Sequence, residues 1–189
     1  MHLQVVRGKS VLRLVMLLAA LVLGMSGCGR QEDTPVAGHE LQPIAAGDEC
    51  HVCGMEIAAF PGPKGQAFIR NRAAPLKFCS TVDLFSWLLQ PETAAVLEAA
   101  YVHDMAGNDW ERPDDNRYVD ARDAWYVVSH EQRGAMGPTL MSFADKAAAD
   151  QYAAQHGGRA MAYAEVTLET LAALSGAGAP HDDHGGHQH

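Results

Sequence analysis

Gln66-Ala67-Phe68-Ile69-Arg70 and Pro75-Leu76-Lys77-Phe78-Cys79 are two short β-type runs, joined by the polar break Asn71-Arg72-Ala73-Ala74 and followed by Ser80-Thr81-Val82-Asp83. The Ser80 hydroxyl and the Asp83 carboxylate, three residues apart, suit the first turn of a helix. The pattern predicts two strands, a helix through Gln90, a second helix opening at Pro91 and a third strand over residues 100–104. The same order recurs 62 residues on. Residues 125–129 and 139–141 flank a Gly/Pro-containing loop, Ser142-x-x-Asp145 is expected to cap a helix ending at His156, and Gly157-Gly158 stop it before a returning strand at 160–166. Tyr101 and Tyr163 keep the same offset, and a last helix is expected over 167–174 with Leu168, Leu171 and Leu174 on one side.

This order predicts an α+β protein of two small, similar ββαβ units, the first over residues 49–116 and the second over 117–174. A chain of 189 residues has room for that and little more. Ahead of the body, Arg7, Lys9 and Arg13 precede or enter an apolar stretch at 14–23, and Gly24-Met25-Ser26-Gly27 leads to Cys28. Charge, then apolar run, then small residues describe an export signal over residues 1–27. The run is shorter than the roughly 18 residues of a spanning helix. Its end resembles a bacterial lipobox, with Met25 where leucine is usual, so Cys28 is expected to carry a lipid and anchor the chain to a membrane. Residues 28–48, polar and broken by Pro and Gly, read as a disordered tether. Residues 175–189 read as a flexible tail in which His181, His184, His187 and His189 offer weak sites for Cu(II), Zn or Ni.

Without residues 1–27 the chain has 11 basic and 23 acidic groups, a net charge of −12 with histidines neutral. That balance argues against nucleic acid as a partner. Export places the cysteines in an oxidising compartment, where thiols that stay reduced need protection or a ligand.

The chemistry concentrates in Asp48-Glu49-Cys50-His51-Val52-Cys53-Gly54-Met55. Two thiols three positions apart can converge on one ion, Gly54 permits a sharp turn, and Met55 can return a thioether. Soft sulfur donors select Cu(I), whereas a structural zinc site demands four thiolate or imidazole donors, and only Cys79 offers a third thiol. A structural disulfide, a dithiol redox site and half of a zinc site also fit a lone C-x-x-C. The redox reading expects a long helix after the pair, which Gly54 and Pro61-Gly62-Pro63 oppose. Met136, in the turn Gly134-Ala135-Met136-Gly137-Pro138, is a further candidate copper ligand. His103 and Met105 share a strand face by period 2 and form a candidate pair, and His51 is a candidate donor. Met141 and Met161 fall on predicted elements and read as core. Asp83 and Asp104 read as caps or surface charges, since no motif orders them into a catalytic unit.

Together, Cys50-His51-Val52-Cys53-Gly54-Met55, residues 62–67, Lys77-Phe78-Cys79-Ser80, Tyr101-Val102-His103-Asp104-Met105, residues 120–127 and residues 134–138 resemble the NosL family across nearly all of the body. The resemblance implies a periplasmic, lipid-anchored Cu(I) metallochaperone, not an enzyme, that helps assemble the copper centres of nitrous oxide reductase. It implies copper ligands at Cys50, Cys53, Met55 and Met136, a fold of two ββαβ units reminiscent of an organomercurial lyase, and transfer through a membrane complex of an ABC-type transporter with a periplasmic solenoid-like protein. The rival reading is a thiol enzyme, either a periplasmic dithiol oxidoreductase or an organomercurial-lyase-like protein using the cysteine pair.

Overall fold

The structure, a computed structural model, describes residues 39–176. The expected export signal, Cys28, the first part of the expected tether and the histidines at 181–189 lie outside the described residues.

Two antiparallel sheets repeat one topology. In the first, β1 (Gly65–Ile69) lies between β2 (Leu76–Phe78) and β3 (Leu97–His103), and β4 (Tyr118–Asp120) adds to β3, giving the order β2-β1-β3-β4. Gly65 faces Phe78 on one side and Val102 on the other. In the second, β5 (Trp125–Val128) takes the central place between β8 (Met141–Phe143) and β9 (Arg159–Ala162), and a separate hairpin, β6 (Arg133–Gly134) with β7 (Gly137–Pro138), interrupts the β5–β8 connection. Helix α1 (Thr81–Leu88) follows β2, α2 (Lys146–His156) follows β8, and α3 (Leu168–Gly176) ends the described residues. Each unit is therefore strand, strand, helix, strand, with its first strand at the centre. Among the described residues no helix is long and apolar enough to cross a membrane.

One core joins the two sheets. Leu84 and Phe85 of α1 are fully buried with Phe78 and Val102 of the first sheet, Tyr126 of the second and Leu171 and Leu174 of α3. Phe85 meets Tyr126 edge to face at 4.8 Å, an arrangement that aromatic quadrupoles favour, and the Tyr126 hydroxyl donates to the Ala121 carbonyl at 2.6 Å. A second cluster, Met105, Val127, Met141, Phe143 and Ala149, packs under α2.

The structure departs from the expectations where tertiary contacts override local signals. Asp145, not Ser142, caps α2: its Oδ1 accepts from the Ala148 amide at 2.9 Å, while Ser142 is buried in β8 and donates to the His103 carbonyl at 2.7 Å. No helix starts at Pro91. A single 3-10 turn, Thr93–Ala95, folds back onto α1 through the Thr93 hydroxyl and the Trp87 carbonyl, so β3 begins at Leu97 and runs far enough to cover β1. β9 stops at Ala162 and a 3-10 turn, Tyr163–Glu165, follows. Tyr118–Asp120, expected to open the second unit, instead pairs with β3, so the first sheet extends past the expected boundary at 117. The expected tether is also shorter, because residues 39–48 lie along the body. Gln66 brackets the Gln42 backbone with both ends of its amide, Lys77 Nζ donates to the Pro43 carbonyl, and the Ile44 amide donates to Asp115.

Candidate metal centre

The Cys50–Met55 loop is closed by its own backbone. The Cys50 amide donates to the Met55 carbonyl and the Gly54 amide to the Cys50 carbonyl, each at 2.8 Å, while the His51 amide docks the loop on β2 through the Lys77 carbonyl at 2.9 Å. Gly54 has φ +72, a conformation that a side chain would strain. Cys79 arrives from the end of β2, one residue before the Ser80 cap, and is fully buried.

These elements bring together Cys50, Cys53 and Cys79 with Asp83: one ligand atom from each lies within 4.8 Å of all the others. Cys53 Sγ and Cys79 Sγ are 3.5 Å apart, and the Cys79 thiol donates to Asp83 Oδ2 at 2.9 Å. Ser80 Oγ donates to the same carboxylate oxygen and accepts from the Asp83 amide, so the helix cap fixes Asp83 in place. All three cysteines are free thiols. The Cys79 thiol beside it draws Cys50 down to about 5 against its burial, with help from the backbone amides of Cys53, Cys79 and Val52. Burial pushes Cys53 up, and Cys79 is pushed up strongly by its contact with Cys50, by burial and by Asp83. One thiolate and two thiols able to lose protons to an incoming metal could hold a soft cation.

The other candidates are placed differently. Met55, like Cys53, is half-buried against the core that contains Cys50 and Cys79. Met136 is 60 % exposed in the β6–β7 hairpin, although its neighbour Ala135 packs on that core. The hairpin returns beside the start of α1, where the Thr139 and Thr81 hydroxyls are 3.1 Å apart and Thr81 donates to the Leu140 carbonyl. His51 is exposed, its ring edge-on to Phe78 and Trp87. Both ring nitrogens of His103 are already engaged. β3 ends at His103, whose Nδ1 accepts from the Lys64 amide at 3.0 Å and whose Nε2 meets Asp115 at 3.1 Å, while Met105 turns into the second core. The sequence offers Cys79 as a third thiol but marks Asp83 only as a cap or surface charge. The signal for both is the i, i+4 spacing, which sets Cys79 and Asp83 on one side of the first helical turn.

The NosL family model matches residues 41–171. The copper-binding lipoprotein NosL of Stutzerimonas stutzeri is 42 % identical over 184 residues, covering 91 % of this chain and 94 % of that one. The copper-binding lipoprotein NosL of Achromobacter cycloclastes is 34 % identical over 159 residues, covering 82 % and 80 %. Among solved structures, the copper chaperone NosL from Shewanella denitrificans superposes with a TM-score of 0.67 at 42 % identity, over 70 % of this chain and 98 % of that one.

Proposed function

The chain belongs to the NosL family, and from that premise we propose that it is a periplasmic, lipid-anchored carrier of Cu(I) that delivers copper for the copper centres of nitrous oxide reductase. The observation that carries the copper reading is the convergence of three thiols on one point. Cys50 supplies a thiolate at neutral pH, and Cys53 and Cys79 add sulfur donors as the incoming cation displaces their protons. Thiolates prefer Cu(I) to harder ions, whereas a carboxylate oxygen is a poor partner for it, so Asp83 orients the Cys79 sulfur and stays outside the ligand set. Met55 and Met136 supply exchangeable thioethers. A site of two or three sulfurs leaves room for a recipient's donor to attach before the first sulfur leaves, so copper passes by ligand exchange without turnover chemistry.

The finer parts of the proposal rest on sequence. The N-terminal segment supports export and a lipid on Cys28, and two relatives are named lipoproteins. The resemblance to the NosL family implies nitrous oxide reductase as the destination and a membrane complex of an ABC-type transporter with a solenoid-like protein as the route.

Cys53→Ser tests the site: anaerobic competition against a chromogenic Cu(I) chelator should show a large loss of affinity with the circular dichroism unchanged, and unaltered affinity would remove Cys53 from the ligand set. The 3.5 Å approach of Cys53 to Cys79 favours one rival, dithiol exchange. Reduction of insulin by the metal-free protein would support it, and stoichiometric copper uptake without turnover supports the carrier.

A further inference from the structure

Next to the start of β1 lies a cavity of about 230 Å³ that copper handling does not use. Lys64 lines it and is only 3 % exposed. Its ammonium donates to the carbonyls of Phe60 at 2.6 Å and Pro61 at 2.9 Å, which leaves one N–H uncommitted. No carboxylate lies within ion-pair distance of it among the described residues. Asp115 also borders the cavity, but it accepts from the Ile44 amide, from His103 Nε2 and, at 3.5 Å, from the Tyr118 hydroxyl. Because His103 Nδ1 accepts from the Lys64 amide, its Nε2 carries the proton toward Asp115, and the ring stays a neutral wall.

Arg112, exposed at the same cavity, makes no side-chain hydrogen bond or ion pair among the described residues, and Glu111 beside it pairs with neither cation. Two cations thus border the cavity with neither in a direct ion pair, although Asp115 and Glu111 border it too, and one of the two cations is buried. A buried ammonium whose hydrogen bonds go to carbonyls and whose neighbouring carboxylate, Asp115, lies beyond ion-pair distance is incompletely compensated, and burial draws the Lys64 amine down to about 8 against the pull of Asp115.

We propose that this cavity binds a small monocarboxylate, whose oxygens take the remaining Lys64 N–H and the Arg112 guanidinium while its apolar body lies against Ile44, Phe60 and Pro113. The apolar walls favour an organic carboxylate over an inorganic anion. The volume falls below the roughly 300–1,000 Å³ of drug-sized sites, so the ligand has few heavy atoms.

The test is an NMR titration of the isotope-labelled intact chain with benzoate, benzyl alcohol and phosphate. Benzoate should give saturable shifts centred on Lys64, His103 and Arg112, with benzyl alcohol and phosphate at least about tenfold weaker, and Arg112→Gln should weaken benzoate about tenfold. Arg112 is exposed and outside the thiol cluster, so this variant should fold and keep its copper affinity, which separates failure here from failure of the carrier reading. Shifts that do not saturate by about 50 mM benzoate, an equal response to benzyl alcohol or phosphate, or an unaffected Arg112→Gln would overturn the proposal.

Discussion

Cys79 enters the thiol cluster through an overlap of two local rules. Cys79 is the single residue between the end of β2 and the helix cap, so the capping interaction of Ser80 with Asp83 sets the carboxylate 2.9 Å from the Cys79 thiol. The sequence marks both rules, but only the return of the Cys50 loop onto β2 joins them into a site. Cys79→Ser should lower Cu(I) affinity about 100-fold in the same competition titration, whereas Met136→Ala, removing a side chain that is 60 % exposed, should lower it less than tenfold, roughly. Comparable losses would make the hairpin an equal partner of the buried sulfurs.

His130 offers a separate residue-level prediction. It is buried between Trp110 and Tyr152, neither ring nitrogen has a hydrogen-bonding partner among the described residues, and burial holds its pKa down at about 4. The unfolded chain, with an ordinary value near 6.5, binds the proton first as pH falls. The associated stability is therefore complete above pH 6.5 and drains away toward pH 4, to a total of about 3 kcal/mol. His130→Phe should flatten that part of the pH dependence in denaturant titrations of the metal-free protein. An unchanged slope would show that His130 does not titrate in this way.

At the scale of elements, the ββαβ order was legible because each helix is announced by a cap and each strand by a short β-type run. Placement was less so. Ser142 and Asp145 both satisfy the capping signature, and burial of Ser142 against the His103 carbonyl decides for Asp145. β4 has three residues and residues 39–48 carry no period, so their positions depend on Val119 facing Val102 and on the Gln66–Gln42 clasp, contacts that no local pattern encodes. Two glycines, Gly157 and Gly158, connect α2 to β9. Gly158 has φ +95, and a Cβ there would sit 2.2 Å from the Val128 carbonyl oxygen. Gly158→Ala should cost about 3 kcal/mol and lower the melting temperature by roughly 10 °C. Gly176→Ala, with nothing within 4 Å of its Cβ, should be neutral or mildly stabilising. Equal melting temperatures for the two variants would contradict this account of the turn.

Across the described residues, the core that joins the two sheets is built from Leu84, Phe85, Phe78, Tyr126, Leu171 and other apolar side chains, with Cys50 and Cys79 buried in it and Cys53 packed against it. That apolar packing is expected to hold the fold without metal. Removing copper with a chelator should leave the far-ultraviolet circular dichroism unchanged and lower the melting temperature only by the linkage of binding to folding, whereas unfolding on chelation would point to a structural metal site. The central claim is that Cys50, Cys53 and Cys79 together hold Cu(I), and X-ray absorption on the anaerobically loaded protein tests it most directly. The spectrum should show a monovalent edge and a first shell of roughly two or three sulfur atoms that loses one in Cys79→Ser. A first shell of nitrogen and oxygen alone, or a sulfur count unchanged in that variant, would contradict it.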